Sequence, residues 1–67
     1  MIVAHFTING EERETRVVTS RWLHNAWANH ENVLLRDGLT YEIVHVHDTE
    51  NGHARVDMIA PLFAPAG

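Results

Sequence analysis

The sequence predicts a small α+β domain in which one helix packs on one face of an antiparallel meander sheet, in the order β-β-α-β-β-β. Two observations on periodicity support this fold class: several short segments alternate apolar and polar residues, and one stretch has helical spacing. A third is that dipeptides typical of tight hairpins separate the segments. These dipeptides are Asn9-Gly10, Asp37-Gly38 and Asn51-Gly52. Successive hairpins favour antiparallel neighbours, and the pattern leaves open whether the sheet curls toward a small barrel.

The length of the chain allows one domain, which we assign to residues 1–61, with residues 62–67 as a tail that is either frayed or docked. A chain of 67 residues buries only about 60% of the surface that its unfolded form exposes. Domains of this size usually depend on disulfides, a metal or a partner subunit. Because the chain has no cysteine, self-association or a metal held by histidine and carboxylate ligands remains.

The charge balance excludes several classes of protein. Nine acidic residues and five arginines give a net charge of −4 with neutral histidines, and lysine is absent. Direct nucleic-acid binding requires a basic face, which we do not expect here. No stretch reaches the roughly 18 apolar residues of a membrane span, and the amino terminus lacks a signal-peptide pattern. We therefore expect a cytoplasmic protein without membrane contact, and the arginine-only basicity suggests a bacterial, phage or other mobile-element gene.

The first two strands differ in character. Residues 2–8 place Ile2, Ala4, Phe6 and Ile8 on one side, which is the pattern of a strand with one buried face. Residues 11–19 are rich in glutamate and arginine. Charges of this kind suit an edge strand, where they discourage pairing with other chains. On the first strand, His5 falls on the less apolar side, where a contact with Glu14 or Arg16 across the hairpin is expected.

A single helix is expected to begin after Ser20, which we interpret as its N-cap. One helical stripe then carries the large apolar side chains, and His30 joins this stripe if the helix extends that far. The stripe consists of Trp22, Leu23, Ala26, Trp27 and His30. Asn29 or Asn32 is expected to end the helix.

The remaining strands are predicted at residues 33–35, 39–48 and 54–60. Pro61 ends the last strand, because proline cannot donate a backbone hydrogen bond to a neighbouring strand.

The register of the last hairpin decides which face carries the histidines. A two-residue turn would pair Glu50 with His53, whereas a turn with a bulge at Gly52 pairs Thr49 with His53. The bulged register separates apolar from polar residues cleanly, and register follows the buried face. It sets His45 opposite Asp57 and His47 opposite Arg55. The predicted buried face is Val44, Val46, Ala54, Val56 and Met58; the other face is His45, His47, Thr49, His53, Arg55 and Asp57, extended by Tyr41, Ile43 and Ile59.

The histidine face of this hairpin is the candidate metal site. His45 and His47 are two residues apart on one strand, and Asp57 or His53 could supply a third ligand. Nitrogen and oxygen ligands of this kind suit zinc, copper or nickel. The competing interpretations are a solvated face in which His45 pairs with Asp57, and a contact surface that responds to pH.

Catalysis has little support in the sequence, and no catalytic residue is assigned. There is no cysteine, and the one serine, Ser20, is used as a cap. The glycines lie in turns or at the end of the chain rather than in a phosphate-binding loop. A domain this small also has little room for a substrate cavity of roughly 300 Å³.

Protein binding is therefore the leading hypothesis. Aromatic and arginine side chains are typical anchors of protein interfaces, and the candidates are Trp22, Trp27, Arg55 and Tyr41. A partner subunit would also stabilise so small a domain. We expect a non-enzymatic accessory, regulatory or inhibitor protein that self-associates and needs no cofactor. The alternative is a protein that binds a divalent transition metal such as zinc through the histidine face.

Overall fold

The computed structural model describes residues 1–60 and confirms a small α+β domain with the expected order of elements. Each observed boundary lies within about one residue of the predicted one. Pro61 and the predicted tail at 62–67 lie outside the described residues. The elements are β1 (Ile2–Ile8), β2 (Glu11–Val18), α1 (Ser20–Ala28), β3 (Asn32–Leu34), β4 (Thr40–Asp48), a short 3-10 turn (Glu50–Gly52) and β5 (His53–Ile59).

The five strands form one sheet in the order β2-β1-β5-β4-β3, and this sheet curls into a half-barrel. The predicted antiparallel arrangement holds for the hairpins, but β1 and β5 pair in parallel, so the sheet is mixed. Turn chemistry determines only the direction of strands that are neighbours in sequence. The direction of β1 relative to β5 depends instead on their apolar faces, because Ala4, Phe6 and Ile8 lie beside Ala54, Val56 and Met58.

The core lies on the concave face of the sheet, which we call the inner face. From the helix, Leu23 and Ala26 pack into it completely, and Trp27 lies against it partly buried. Strand residues supply the rest of the core: Ala4, Phe6, Ile8, Val18, Val33, Tyr41, Ile43, Val46, Ala54, Val56 and Met58, with Leu35 just after β3. The opposite face, which we call the outer face, is not covered by the helix. Among residues 1–60, no helix is long and apolar enough to cross a membrane.

The cap and the end of the helix refine the predicted boundaries. Thr19, not Ser20, is the N-cap, because the Thr19 hydroxyl accepts a hydrogen bond from the Trp22 N–H at 3.1 Å. Either residue type can fill this position, so the sequence alone does not separate them. Asn29 is the C-cap, as predicted. His30 lies beyond the helix with a positive φ of 51° and does not join the apolar stripe.

The register of the last hairpin is the predicted one. Thr49 donates its N–H to the His53 carbonyl at 2.9 Å. His45 lies opposite Asp57, and His47 lies opposite Arg55. The turn between them uses left-handed backbone at Asn51, with φ of 72°, and at Gly52, with φ of 75°, which asparagine and glycine tolerate best.

A bulge in β4 corrects the predicted faces. The register shifts between Ile43 and His45, so Val44 is an extra residue. Such an insertion reverses the alternation on one side of it. Tyr41 and Ile43 are therefore buried on the inner face, where we had predicted the outer one, and Val44 is exposed where we had predicted burial. Ile59 is exposed, which agrees with the predicted polar side.

The free edge of β4 is covered by the helix. Because β3 pairs only with residues 40–42, the rest of β4 has no strand on that side. Trp27 donates its indole N–H to the Val44 carbonyl at 3.3 Å, and His24 Nε2 lies 3.5 Å from the Asp48 carboxylate. Covering an edge in this way prevents its unpaired backbone groups from pairing with other chains.

The other edge, β2, is at the outside of the sheet as predicted, and side chains tie it to the segment that follows β3. Glu14 is buried and accepts the Arg36 N–H at 2.8 Å. Arg16 donates to the Glu14 carboxylate and to the Leu34 carbonyl. Burial would raise the pKa of Glu14, but the hydrogen bonds from Arg36 and Arg16 and the charge of both arginines outweigh it and lower that pKa.

Replacing Glu14 tests how much these contacts between β2 and the segment after β3 stabilise the domain. Glu14→Ala leaves the Arg36 N–H and the Arg16 guanidinium without their acceptor. We expect it to lower the free energy of unfolding by about 2–3 kcal/mol in urea denaturation, the range for hydrogen bonds to a charged group. The control is Glu11→Ala, because Glu11 is exposed and lies 3.8 Å from Arg13; this variant should cost less than about 1 kcal/mol. Equal losses in the two variants would contradict the role of Glu14.

Candidate functional site

The outer face brings polar side chains from four strands into register. Three rows cross the sheet, and each row can be followed from β2 through β1 to β5 and, in the last two, to β4. The rows are Val17–Val3–His53, Thr15–His5–Arg55–His47 and Glu12–Thr7–Asp57–His45. Four of the six histidines of the chain therefore share this surface.

Asp57 is the centre of one hydrogen-bonded group on the outer face. The Thr7 hydroxyl donates to Asp57 Oδ1 at 2.8 Å, and Arg55 Nε donates to the same oxygen at 3.2 Å. His47 Nε2 lies 2.8 Å from Asp57 Oδ2. Burial would raise the pKa of Asp57, but the hydrogen bonds from Thr7 and His47 and the charge of Arg55 lower it. The carboxylate is thus held in its ionised form.

This geometry corrects the expected pairing of Asp57. His45 is the residue opposite Asp57 on the backbone, but the contact is made diagonally by His47. The His45 ring instead meets the Trp27 ring edge to face, with centroids 5.1 Å apart, and the His47 ring at 4.1 Å. The contribution of Thr7 was missed, because an alternating strand shows only that Thr7 lies on the outer face, not which strand lies beside it.

A second group joins β2, β1 and β5. His5 Nδ1 lies 2.5 Å from Glu12 Oε1, and His5 Nε2 lies 2.8 Å from His53 Nδ1. The expected partners of His5 were Glu14 and Arg16. The register between β1 and β2 shifts between Phe6 and Thr7, which leaves Glu12 opposite Thr7 on the outer face and moves Glu14 opposite Phe6 on the inner one.

Of the predicted metal ligands, His53 is separated from the others, because it contacts His5. His47 contacts Asp57 and lies beside the His45 ring, which also packs on Trp27. Within residues 1–60, no three or more histidine, aspartate or glutamate side chains are arranged to hold one metal ion.

The predicted partner-binding residues are also dispersed. Trp22 and Arg55 are exposed, Trp22 on the helix and Arg55 on the outer face. Trp27 is partly buried and covers β4. Tyr41 is buried and donates its hydroxyl to Asp37 at 2.6 Å. This hydrogen bond raises the pKa of Tyr41 and lowers that of Asp37, so Tyr41 holds the β3–β4 turn in place.

An open groove of about 410 Å³ lies at one end of the outer face, beside the β1–β2 turn. This volume exceeds what we expected for so small a domain. Its polar wall is formed by Thr7, Arg55 and Asp57, and its apolar wall by Val44 and Ile59. The polar groups of this groove bind one another through Asp57.

Comparison with known proteins found no matching family model, no matching curated protein and no matching solved structure. The interpretation of the outer face therefore depends on its geometry.

Replacing Asp57 tests the group around it. Because the pKa of Asp57 is lowered by folding, its ionised form adds stability above the unfolded-state value of about 3.9, and this stability disappears as the pH falls through the folded-state value. We expect Asp57→Asn to be less stable than the wild type at neutral pH. The difference should shrink below about pH 4, as followed by urea denaturation across pH.

The charge-matched control is Glu31→Gln, which removes an exposed carboxylate outside this group. A loss of stability in Asp57→Asn that stayed constant from neutral pH to strongly acidic pH would show that ionisation of Asp57 contributes nothing.

Proposed function

We propose that this protein is a non-enzymatic binding protein that contacts another protein through the outer face of its sheet, and that it self-associates. An accessory, regulatory or inhibitor role in the cytoplasm of a bacterium or in a phage fits this activity. The observation that carries the proposal is that residues 1–60 leave the outer face uncovered, while its side chains are already held in place by hydrogen bonds.

These side chains are already held in one conformation, which favours binding. Ordering a flexible side chain at an interface costs about 0.5–1.5 kcal/mol, and Arg55, Asp57 and His47 already hold one another. Exposed apolar residues lie at both ends of the face, with Val17 at one end and Val44 and Ile59 at the other. A polar centre between apolar ends allows both burial and specific contacts.

A second copy of this chain is the partner to which the proposal commits. Among the described residues, no helix or strand packs across the outer face, so it is the large sheet surface that remains open. A two-fold contact places the same surface on both subunits. The outer face carries Arg55 in the row beside the one that holds the carboxylates of Glu12 and Asp57, so two such faces can bring each arginine close to opposite charges.

Two hydroxyl groups that lie beside ionisable side chains support a non-enzymatic role. Thr7 is buried and donates to Asp57. The Ser20 hydroxyl lies 3.3 Å from His24 Nδ1, but this nitrogen also lies 2.9 Å from the Ser20 carbonyl. A carbonyl only accepts a hydrogen bond, so Nδ1 carries a proton and is not a base for the hydroxyl.

Val17 offers the sharpest test of self-association. Val17 and Leu39 are both 60% exposed, but Leu39 lies at the β3–β4 turn, away from the outer face. We expect the wild type to sediment as a dimer in analytical ultracentrifugation. Val17→Lys should weaken the dimer at least about tenfold, because it places a charge in an apolar contact.

Leu39→Lys adds the same charge at equal exposure and should leave the dimer unchanged. A strictly monomeric wild type at millimolar concentration would refute self-association, and equal weakening by the two variants would refute the outer face as its site.

A further inference from the structure

Two imidazole rings meet on the outer face, one from β1 and one from its parallel neighbour β5. His5 Nε2 and His53 Nδ1 are 2.8 Å apart, and the ring planes differ by 23°. The ring centroids are 5.1 Å apart, so the rings meet nitrogen to nitrogen rather than face to face. The parallel register creates this meeting, because it sets His53 one row away from His5.

Glu12 determines which nitrogen of His5 carries the proton. Its carboxylate lies 2.5 Å from His5 Nδ1, and an ionised carboxylate can only accept a hydrogen bond. Neutral His5 therefore carries its proton on Nδ1 and keeps a lone pair on Nε2. A carboxylate that accepts the second N–H of a histidine in this way is the usual outer partner of a metal-bound histidine.

The surroundings of this pair permit a cation. The nearest arginine in the register, Arg55, points its guanidinium toward Asp57 at 3.2 Å, so its charge is already compensated. In the single chain, the His5 side chain is 30% exposed and His53 is exposed, so an ion can enter from solvent. Because Val17 and His53 lie in one row, this pair borders the proposed contact between two chains. His47 meets Asp57 through Nε2, and its ring lies 4.1 Å from that of His45, so His45 and His47 form the competing pair that the experiment must exclude.

We propose that His5 Nε2 and His53 Nδ1 bind one divalent transition-metal ion, with Glu12 as the residue that positions His5. Two nitrogens bound at 2.0–2.1 Å lie about 2.9 Å apart at a right angle and about 3.4 Å apart at a tetrahedral angle. The present 2.8 Å spacing is that of an N–H···N hydrogen bond, which the ion replaces on binding, and imidazole nitrogens bind Cu²⁺ and Ni²⁺ strongly.

Binding requires two small changes at His53. Its proton moves from Nδ1 to Nε2, which leaves the ring neutral and frees the second lone pair. The ring then turns so that the two lone pairs converge on the ion. An exposed ring on the surface of a strand can do both at low cost. Water fills the other coordination positions, because the two donors come from one chain.

Calorimetric titration of the untagged chain with Ni²⁺ and with Cu²⁺ tests the site. We expect one ion per chain. His5→Gln and His53→Gln should each lose at least about tenfold in affinity, and Glu12→Gln should lose about 10–100-fold, the range for outer partners of a metal ligand. The matched controls His45→Gln and His47→Gln should bind as the wild type does.

Paramagnetic broadening by Ni²⁺ or Cu²⁺ in NMR spectra gives a second measurement, and the rings of His5 and His53 should broaden first. Unchanged affinity in His53→Gln would overturn the proposal, as would a loss in His47→Gln alone. The titration is repeated in Val17→Lys, so that a failure of self-association and a failure of metal binding remain distinguishable.

Discussion

The carboxylate of Glu14 joins two parts of the sheet that no backbone ladder connects. It accepts a hydrogen bond from the backbone of Arg36 and ion-pairs with Arg16, which also reaches the Leu34 carbonyl. These contacts hold β2 against the segment after β3, so the concave side closes around its core. The sheet is curled into a half-barrel, and the described residues leave its convex outer face uncovered. The Glu14 contacts thus lie on the side of the sheet opposite to His5, Asp57 and their neighbours.

The helix completes the domain in a related way. Its Leu23 and Ala26 supply core volume, while Trp27 and His24 reach the part of β4 that β3 leaves unpaired. One side of this short helix thus packs into the core, and another side covers the edge of β4. Trp27 and His24 cover the open part of β4, whereas β2 is an edge strand whose charged side chains discourage pairing with other chains. Binding through the outer face depends on the side chains of that face.

Periodicity and turn chemistry predicted much of the fold, because each acts over a few residues. Local pattern predicts the alternation of β1 and the three turns. It also predicts the backbone register that sets His45 opposite Asp57. Two bulges limited the rest. The extra residue opposite Phe6 and Thr7 makes Glu12, and not Glu14, the partner of His5. The extra residue Val44 turns Tyr41 toward the core. A bulge changes which side chains face each other without leaving a strong mark in composition. The contact between His5 and His53 could not be predicted from local pattern, because it depends on the direction in which β1 and β5 pair.

That parallel pairing also has a consequence for how the chain folds. β5 lies in the middle of the sheet, between β1 and β4, and its partner β1 begins at Ile2. The pairing of β1 with β5 therefore forms only after the chain closes a loop that includes the helix and three of the strands. Closing such a loop costs entropy before any contact repays it, and a high share of distant contacts slows folding. The hairpins can form early, but the core, the outer face and the histidine pair should appear together in one late, cooperative step.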